Sequence, residues 1–231
     1  MTKIQDTEAR VPQCIGLIMD GNRRWAREQG LPISAGHERG AEVLKSIVGW
    51  AAARSVSHLI LYAFSTENWK RPQIELDSLM ALLGRVLERI QADVGPDTRI
   101  RFIGDRARFG ARYAAQMDRI EEETAGNEGI AVVLALSYGG RSEIVAAANA
   151  AIAAGRTLDE AAFSALLSTA GIPDPDLIIR TGGERRLSNF LPWQSVYSEL
   201  FFSDTRWPDF TEGEFDDILR EYAARERSRG A

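Results

Sequence analysis

Short runs of consecutive apolar residues, each closed by a polar turn, recur along the chain and limit the folds open to it. Residues 15–19 (IGLIM), 58–64 (HLILYAF) and 130–136 (IAVVLAL) are such runs. They are too short for ordinary helices and lack apolar–polar alternation, so each suits a strand buried on both faces. Between them the spacing turns helical. Val43, Leu44, Ile47, Val48 and Ala51 share one face of a helix over 38–53. Leu76, Leu79, Met80, Leu83, Val86, Leu87 and Ile90 share one face of a helix over 74–93. Helices are also predicted over 23–29, 107–124, 142–154, 159–169 and 212–225, a polar loop over 65–72, and shorter strands over 99–103, 177–180 and 199–202. The alternation predicts an α/β single domain with a central, mostly parallel six-stranded sheet flanked by helices. Residues 13–231 make up that domain, after a flexible N-terminal segment, 1–12.

The formal net charge of -5 argues against a nucleic-acid partner, which needs a basic footprint. An anionic substrate must then be held by local arginines. Cys14 is the one cysteine, so no intrachain disulfide or thiolate metal cluster is expected. The opening MTKIQDTEAR has no apolar signal region, and no apolar run approaches the roughly 20 residues that span a bilayer. A cytoplasmic protein is expected, with at most peripheral membrane contact.

Ligands of such folds sit at the carboxyl ends of the strands. Three polar loops fall there, at 20–24, 65–71 and 180–188, and bring Arg24, Arg71, Arg180 and Arg186. Together these could hold two diphosphates by charge-assisted bonds. Asp20 ends the first strand; Gly21-Asn22 turns the chain; Arg23, Arg24 and Trp25 open a helix. One carboxylate, a turn and two arginines at a helix N-terminus suit a metal-bridged phosphate. An ordinary βα connection would read the same way locally. No P-loop, G-x-G-x-x-G, G-x-S-x-G or H-E-x-x-H motif is present, and two histidines exclude a multi-histidine metal centre. An aspartate-nucleophile phosphatase is disfavoured because Asn22 stands where its second Asp would be.

Five segments, in order, are similar to the cis-prenyltransferases, whose bacterial type is undecaprenyl diphosphate synthase. They are residues 19–26 (MDGNRRWA), Gly36-His37, 62–72 (YAFSTENWKRP), 137–141 (SYGGR) and 180–199 (RTGGERRLSNFLPWQSVYSE). The resemblance implies a homodimer with a hydrophobic tunnel, adding isopentenyl diphosphate to an allylic diphosphate such as farnesyl diphosphate, each new double bond cis. It implies Asp20 as the essential carboxylate at a Mg²⁺ and diphosphate site, with Glu199 as a second metal ligand. Gly21, Asn22, Arg23, Arg24, Trp25 and His37 would meet the allylic diphosphate. Ser65, Thr66, Glu67, Asn68, Trp69 and Arg71 match the substrate loop, with Asn68 assigned to proton removal and Trp69 bordering the prenyl chain. An amide is a poor base, so Asn68 is better read as positioning a phosphate or water that accepts the proton. Arg180, Arg186, Leu187 and Ser188 match the isopentenyl diphosphate pocket. Apolar side chains of the 74–90 helix would line the tunnel, where the small Ala63 leaves room for a longer product.

The chain departs from the family pattern at several points. Ile33 replaces an arginine common in relatives, Arg23 replaces a glycine and could partly compensate, Arg185 stands where His or Gln is frequent, and Pro192 replaces a leucine. In the basic tail, Arg227 or Arg229 would have to serve as the arginine that crosses a dimer to phosphate. The departures leave a short product or an unusual allylic substrate as an alternative. A non-catalytic binding subunit is a further alternative, opposed by the retention of Asp20, Asn68, Arg180, Arg186 and Glu199.

Overall fold

β1 (Cys14–Ile18) runs through the middle of the sheet with all five residues buried, as a two-sided apolar run requires. The computed structural model describes residues 11–225; the tail arginines 227 and 229 and most of the 1–12 segment lie outside the described residues. The other strands are β2 (His58–Ser65), β3 (Arg99–Ile103), β4 (Ala131–Tyr138), β5 (Leu177–Arg180) and β6 (Glu199–Phe202). Their order is β3-β4-β2-β1-β5-β6 and every pairing is parallel. The mostly parallel sheet expected from the sequence is therefore wholly parallel.

Alternate strand residues feed two cores. Ile15, Leu17, Leu59, Leu61, Val132, Leu134, Leu177 and Ile179 join the larger one. Helices α2 (Ile33–Ala53), α3 (Gln73–Val94), α4 (Ala111–Thr124) and α7 (Glu212–Ala224) pack into it through Val43 and Ile47, Leu76 and Leu87, Met117 and Ile120, and Phe215 and Ile218. Cys14, Ile18, Ile60, Tyr62, Val133 and Ile178 join the smaller core, with Phe190 and Leu191 of the segment before β6. The remaining helices are α1 (Asn22–Glu28), α5 (Gly140–Ala153) and α6 (Glu160–Ser164).

Four local expectations change. α2 starts at Ile33, directly after Pro32, rather than at 38. Its Gly36 and Gly40 are interior helix positions, kept small because α1 crosses there: a Cβ on Gly36 would lie 2.2 Å from the Asn22 carbonyl oxygen, and one on Gly40 2.3 Å from Asn22 Oδ1. The polar 65–72 stretch holds a 3-10 turn, Thr66–Lys70, closed by reciprocal side-chain to backbone bonds of Ser65 and Asn68. The 107–124 helix is divided at Gly110, whose φ of 87° favours glycine, into a 3-10 turn Arg106–Phe109 and α4. The predicted 159–169 helix is α-helical only over α6, which Asp159 caps by accepting from the Ala162 N–H at 2.8 Å.

These contacts set opposite outcomes for two glycines of α2. Gly36→Ala should cost about 1–3 kcal/mol, because the new methyl meets backbone that cannot rotate away. Gly49→Ala, with nothing within 4 Å, should be neutral or stabilise by about 0.4–1 kcal/mol. Urea unfolding of the two variants beside the parent checks both signs.

Candidate active site

β1 pairs with β2 on one side and β5 on the other, so the chain departs from its carboxyl end in both directions. A ligand crevice belongs at such a switch point. Ile18 of β1 is in register with Arg180, the last residue of β5, and Asp20 follows two residues later. Arg180 Nη2 donates to Asp20 Oδ2 at 2.8 Å, and Arg24 Nη2 lies 3.4 Å from Oδ1. The Arg180 guanidinium is 4% exposed, so the aspartate and the Ser188 hydroxyl, which accepts from Nη1 at 2.8 Å, offset a costly desolvation. Thr181, fully buried, fixes the backbone of Asp20 from both sides: its hydroxyl oxygen accepts the Asp20 N–H at 3.1 Å, and the hydroxyl donates to the Asp20 carbonyl at 2.8 Å.

A cleft of about 560 Å³ opens over these groups. Asp20, Asn22, His37, Ser65, Glu67, Asn68, Arg71, Arg180 and Ser188 line it, all expected from the sequence. Beside it lies a basic recess of about 340 Å³, lined by Gly21, Arg23, Arg24 and Arg186 and, outside the expected set, by Arg27 and Glu184. Asp20, Asn22, His37 and Arg71 belong to both. Below, an apolar cavity of about 130 Å³ runs between the sheet and α2 and α3, walled by Leu44, Leu79, Met80, Leu83, Val86 and Leu136. Tyr62, Ala63 and Phe64 of β2 line both cleft and apolar cavity. The polar and apolar spaces therefore join at one strand.

Five expected residues stand elsewhere. Trp25 donates from Nε1 to Asp209 at 2.8 Å, on the outer side of α1. Trp69 packs against Phe64 and Phe109 and donates from Nε1 to the Ser137 hydroxyl at 3.0 Å, so it anchors the 3-10 turn and is absent from the apolar cavity wall. Leu187 packs against the smaller core. Thr66 faces a separate hollow beside Ser137 and Ser142. Glu199 does not join Asp20: it opens β6 in register with Leu177 and, through β5, with Ile15, at the amino end of the sheet. Five residues of strand rise separate those levels, ~16 Å. Glu199 instead accepts from Arg225 Nη1 at 2.7 Å. The two carboxylates of one chain cannot share an ion.

Asn68 Oδ1 accepts the Ser65 N–H at 3.0 Å, which leaves its amide NH₂ as the group for a ligand. Arg186 is 60% exposed and pairs with Glu184 at 2.5 Å, while its carbonyl accepts from Arg180. Sequence reading missed Glu75, Thr181, Tyr62 and Glu184. Glu75 was within reach as the i+4 partner of Arg71, and Thr181 as the residue after the strand-ending arginine.

No group of three or more His, Cys, Asp or Glu that could hold a metal occurs among the described residues. A lone carboxylate suits a Mg²⁺ that takes its other ligands from phosphate and water. The donor set at Asp20 therefore fits such an ion only together with a phosphorylated ligand.

Burial first, then the Arg71 charge, pushes the His37 imidazole down from 6.5 to about 4, Glu75 opposing. The site is thus built around a neutral His37 near pH 7. The unfolded chain binds that proton below about 6.5 and the folded one only near 4, so His37 should withdraw up to roughly 3 kcal/mol of stability as pH falls through that window. Imidazole NMR should place the His37 midpoint near 4, and His37→Gln should flatten the acid limb of a stability–pH curve.

The family model described as "Putative undecaprenyl diphosphate synthase" matches residues 18–230. An isoprenyl transferase of Chromobacterium violaceum is 46% identical over 221 residues, 95% of this chain and 88% of that protein. A protein of Xanthomonas axonopodis pv. citri named ditrans,polycis-undecaprenyl-diphosphate synthase ((2E,6E)-farnesyl-diphosphate specific) is 44% identical, covering 96% of this chain and 90% of its own. The crystal structure of lavandulyl diphosphate synthase from Lavandula x intermedia in complex with dimethylallyl diphosphate superposes with a TM-score of 0.89 at 33% identity, covering 96% of this chain and 99% of that one. That of a probable undecaprenyl diphosphate synthase from Campylobacter jejuni gives 0.79 at 34% identity, covering 96% and 100%. With these matches across nearly the whole chain, and an arginine-lined cleft opening onto an apolar cavity, the protein belongs to the undecaprenyl diphosphate synthase family of cis-prenyltransferases.

Proposed function

We propose that the chain elongates an allylic diphosphate, farnesyl diphosphate by the analogy of the Xanthomonas relative, with isopentenyl diphosphate to give a long cis-polyprenyl diphosphate such as undecaprenyl diphosphate. The observation that carries this reading is the junction at Tyr62 and Ala63, where a cleft ringed by Asp20, Arg71 and Arg180 opens into an apolar cavity. A prenyl diphosphate has the matching halves. The small Ala63, exposed within an otherwise buried strand, leaves the passage open.

In the reaction the carbon–oxygen bond of the allylic diphosphate breaks, its carbon joins the terminal alkene carbon of isopentenyl diphosphate, and a proton leaves the neighbouring methylene. Arg23, Arg24, His37 and Arg71 would hold the allylic diphosphate by N–H donors from the basic recess. Arg180 and Ser188 of the cleft would hold isopentenyl diphosphate, with Arg186 joining them from the recess. Asp20 would hold Mg²⁺, which when bound neutralises charge on the departing diphosphate. Since Asn68 Oδ1 is engaged with Ser65, its NH₂ would orient a phosphate or water that takes the proton. Tyr62, stacked on Phe190 at 4.7 Å, would keep the first isoprene unit aligned.

The reading has the enzyme working in the cytoplasm as a homodimer, with product passing to a membrane by peripheral contact. Exposed Val145 and Ile152 on α5, with Val196 and Tyr197 before β6, support a second copy as partner. No helix among the described residues is long and apolar enough to cross a membrane.

Asp20→Asn should lower turnover on the order of 100-fold or more in a protein that still folds, with a lower unfolding midpoint because the buried Arg180 loses its counter-charge. A rate close to the parent's would remove Asp20 from the chemistry. With labelled isopentenyl diphosphate and farnesyl diphosphate, product sizing should show successive additions ending at a long chain. A product stopping after one or two additions would point instead to a short-chain synthase, as the lavender neighbour's bound dimethylallyl diphosphate suggests.

A further inference from the structure

Glu75, buried against three residues that line the basic recess, takes no part in the chemistry described above. It lies in the first turn of α3, four residues after Arg71, with its side chain 6% exposed. An acid so buried needs cationic partners. Arg71 Nη1 donates to Oε1 at 3.0 Å, Arg23 Nε lies 3.5 Å from the same oxygen, and His37 Nε2 3.7 Å. The three come from separate elements: Arg23 from α1, His37 from α2 and Arg71 from the end of the 3-10 turn. Arg23 Nε and His37 Nε2 are buried without a hydrogen-bond partner. Glu75 is therefore near enough to orient both, Arg23 by charge and His37 as a neutral ring, while neither nitrogen is committed to a hydrogen bond.

We propose that Glu75 is a positioning residue whose single charge gathers Arg23, His37 and Arg71 into one donor set for the diphosphate of the allylic substrate. The proposal rests on the reading of the recess as the allylic diphosphate site. Arg23 and Arg71 repel each other, and long side chains with no counter-charge between them would swing apart into solvent. The carboxylate between them removes that repulsion and fixes their geometry before a ligand arrives, which lowers the ordering cost of binding. Its negative charge also weakens attraction for an anion. Glu75 can assist only if the gain in orientation outweighs that loss, and this gives the test its sign.

Glu75→Gln keeps the shape and removes the charge; Glu75→Asp keeps the charge but draws it back by one methylene. Calorimetric titration with inorganic diphosphate reads the recess without turnover. Steady-state KM values for farnesyl and isopentenyl diphosphate read the two halves of the cleft separately. E75Q should weaken inorganic diphosphate and raise the farnesyl diphosphate KM on the order of tenfold, with the isopentenyl diphosphate KM within about twofold of the parent. E75D should show a smaller loss with the same selectivity, and decides the matter alone if E75Q does not fold. Because Glu75 raises the His37 pKa, E75Q should also move the His37 NMR midpoint further down while His58 stays in place. Unchanged or tighter diphosphate binding by a folded variant, or equal rises in both KM values, overturns the proposal. A parent protein that makes no prenyl product would defeat the proposed function, yet the diphosphate titration would still test Glu75.

Discussion

The pair formed by Asp20 and Arg180 is the constraint on which the site depends. Both sit where β1 and β5 end side by side, so the sheet register brings them to 2.8 Å before any ligand is present. A guanidinium buried to this degree would be destabilising alone, and its partners are supplied by residues that the ligand also needs: Asp20, Ser188 and the Arg186 carbonyl. Folding energy and substrate recognition are thus tied to the same atoms. Thr181 adds the backbone restraint that keeps Asp20 from following its charge outward.

Around that pair the cavity divides by chemistry. Helix α1 reaches the recess only because Gly36 and Gly40 let α2 lie against Asn22, and this approach also carries His37 in beside Arg71. Burial there holds His37 neutral, so it adds an N–H or a lone pair without another positive charge. On the apolar side, β2 presents Tyr62 and Ala63 to the same space that α2 and α3 wall with leucines. A strand buried on both faces but open at one residue is what joins the two halves.

Much of this was legible residue by residue, and the misses have physical causes. Strands β3, β5 and β6 begin and end where the sequence placed them, because turn residues flank short apolar runs. The start of α2 was missed since Pro32 and Gly36 look like breakers; in the fold the glycine is a contact surface. The 3-10 turn at 66–70 was read as loop because its stability comes from the Ser65–Asn68 capping bonds rather than from apolar spacing. Trp25 and Trp69 lie within matching motifs yet point away from the cleft, since a motif records position along the chain and leaves side-chain direction open. Glu199 held a usable clue: a residue that opens a parallel strand lies at the end opposite to Asp20.

The sequence by itself determined the α/β alternation, the short apolar runs of the buried strands, and the three loops that bring arginines to the carboxyl edge. Periodicity and turn chemistry are local, and they need no partner to be read. Only the tertiary structure decided which of those charges meet. Glu75 between Arg23, His37 and Arg71, Thr181 against Asp20, and Glu199 paired with Arg225 all depend on strand order and helix approach. Pairing between distant side chains is a matter of ångströms across packed elements, and spacing along the chain does not contain it.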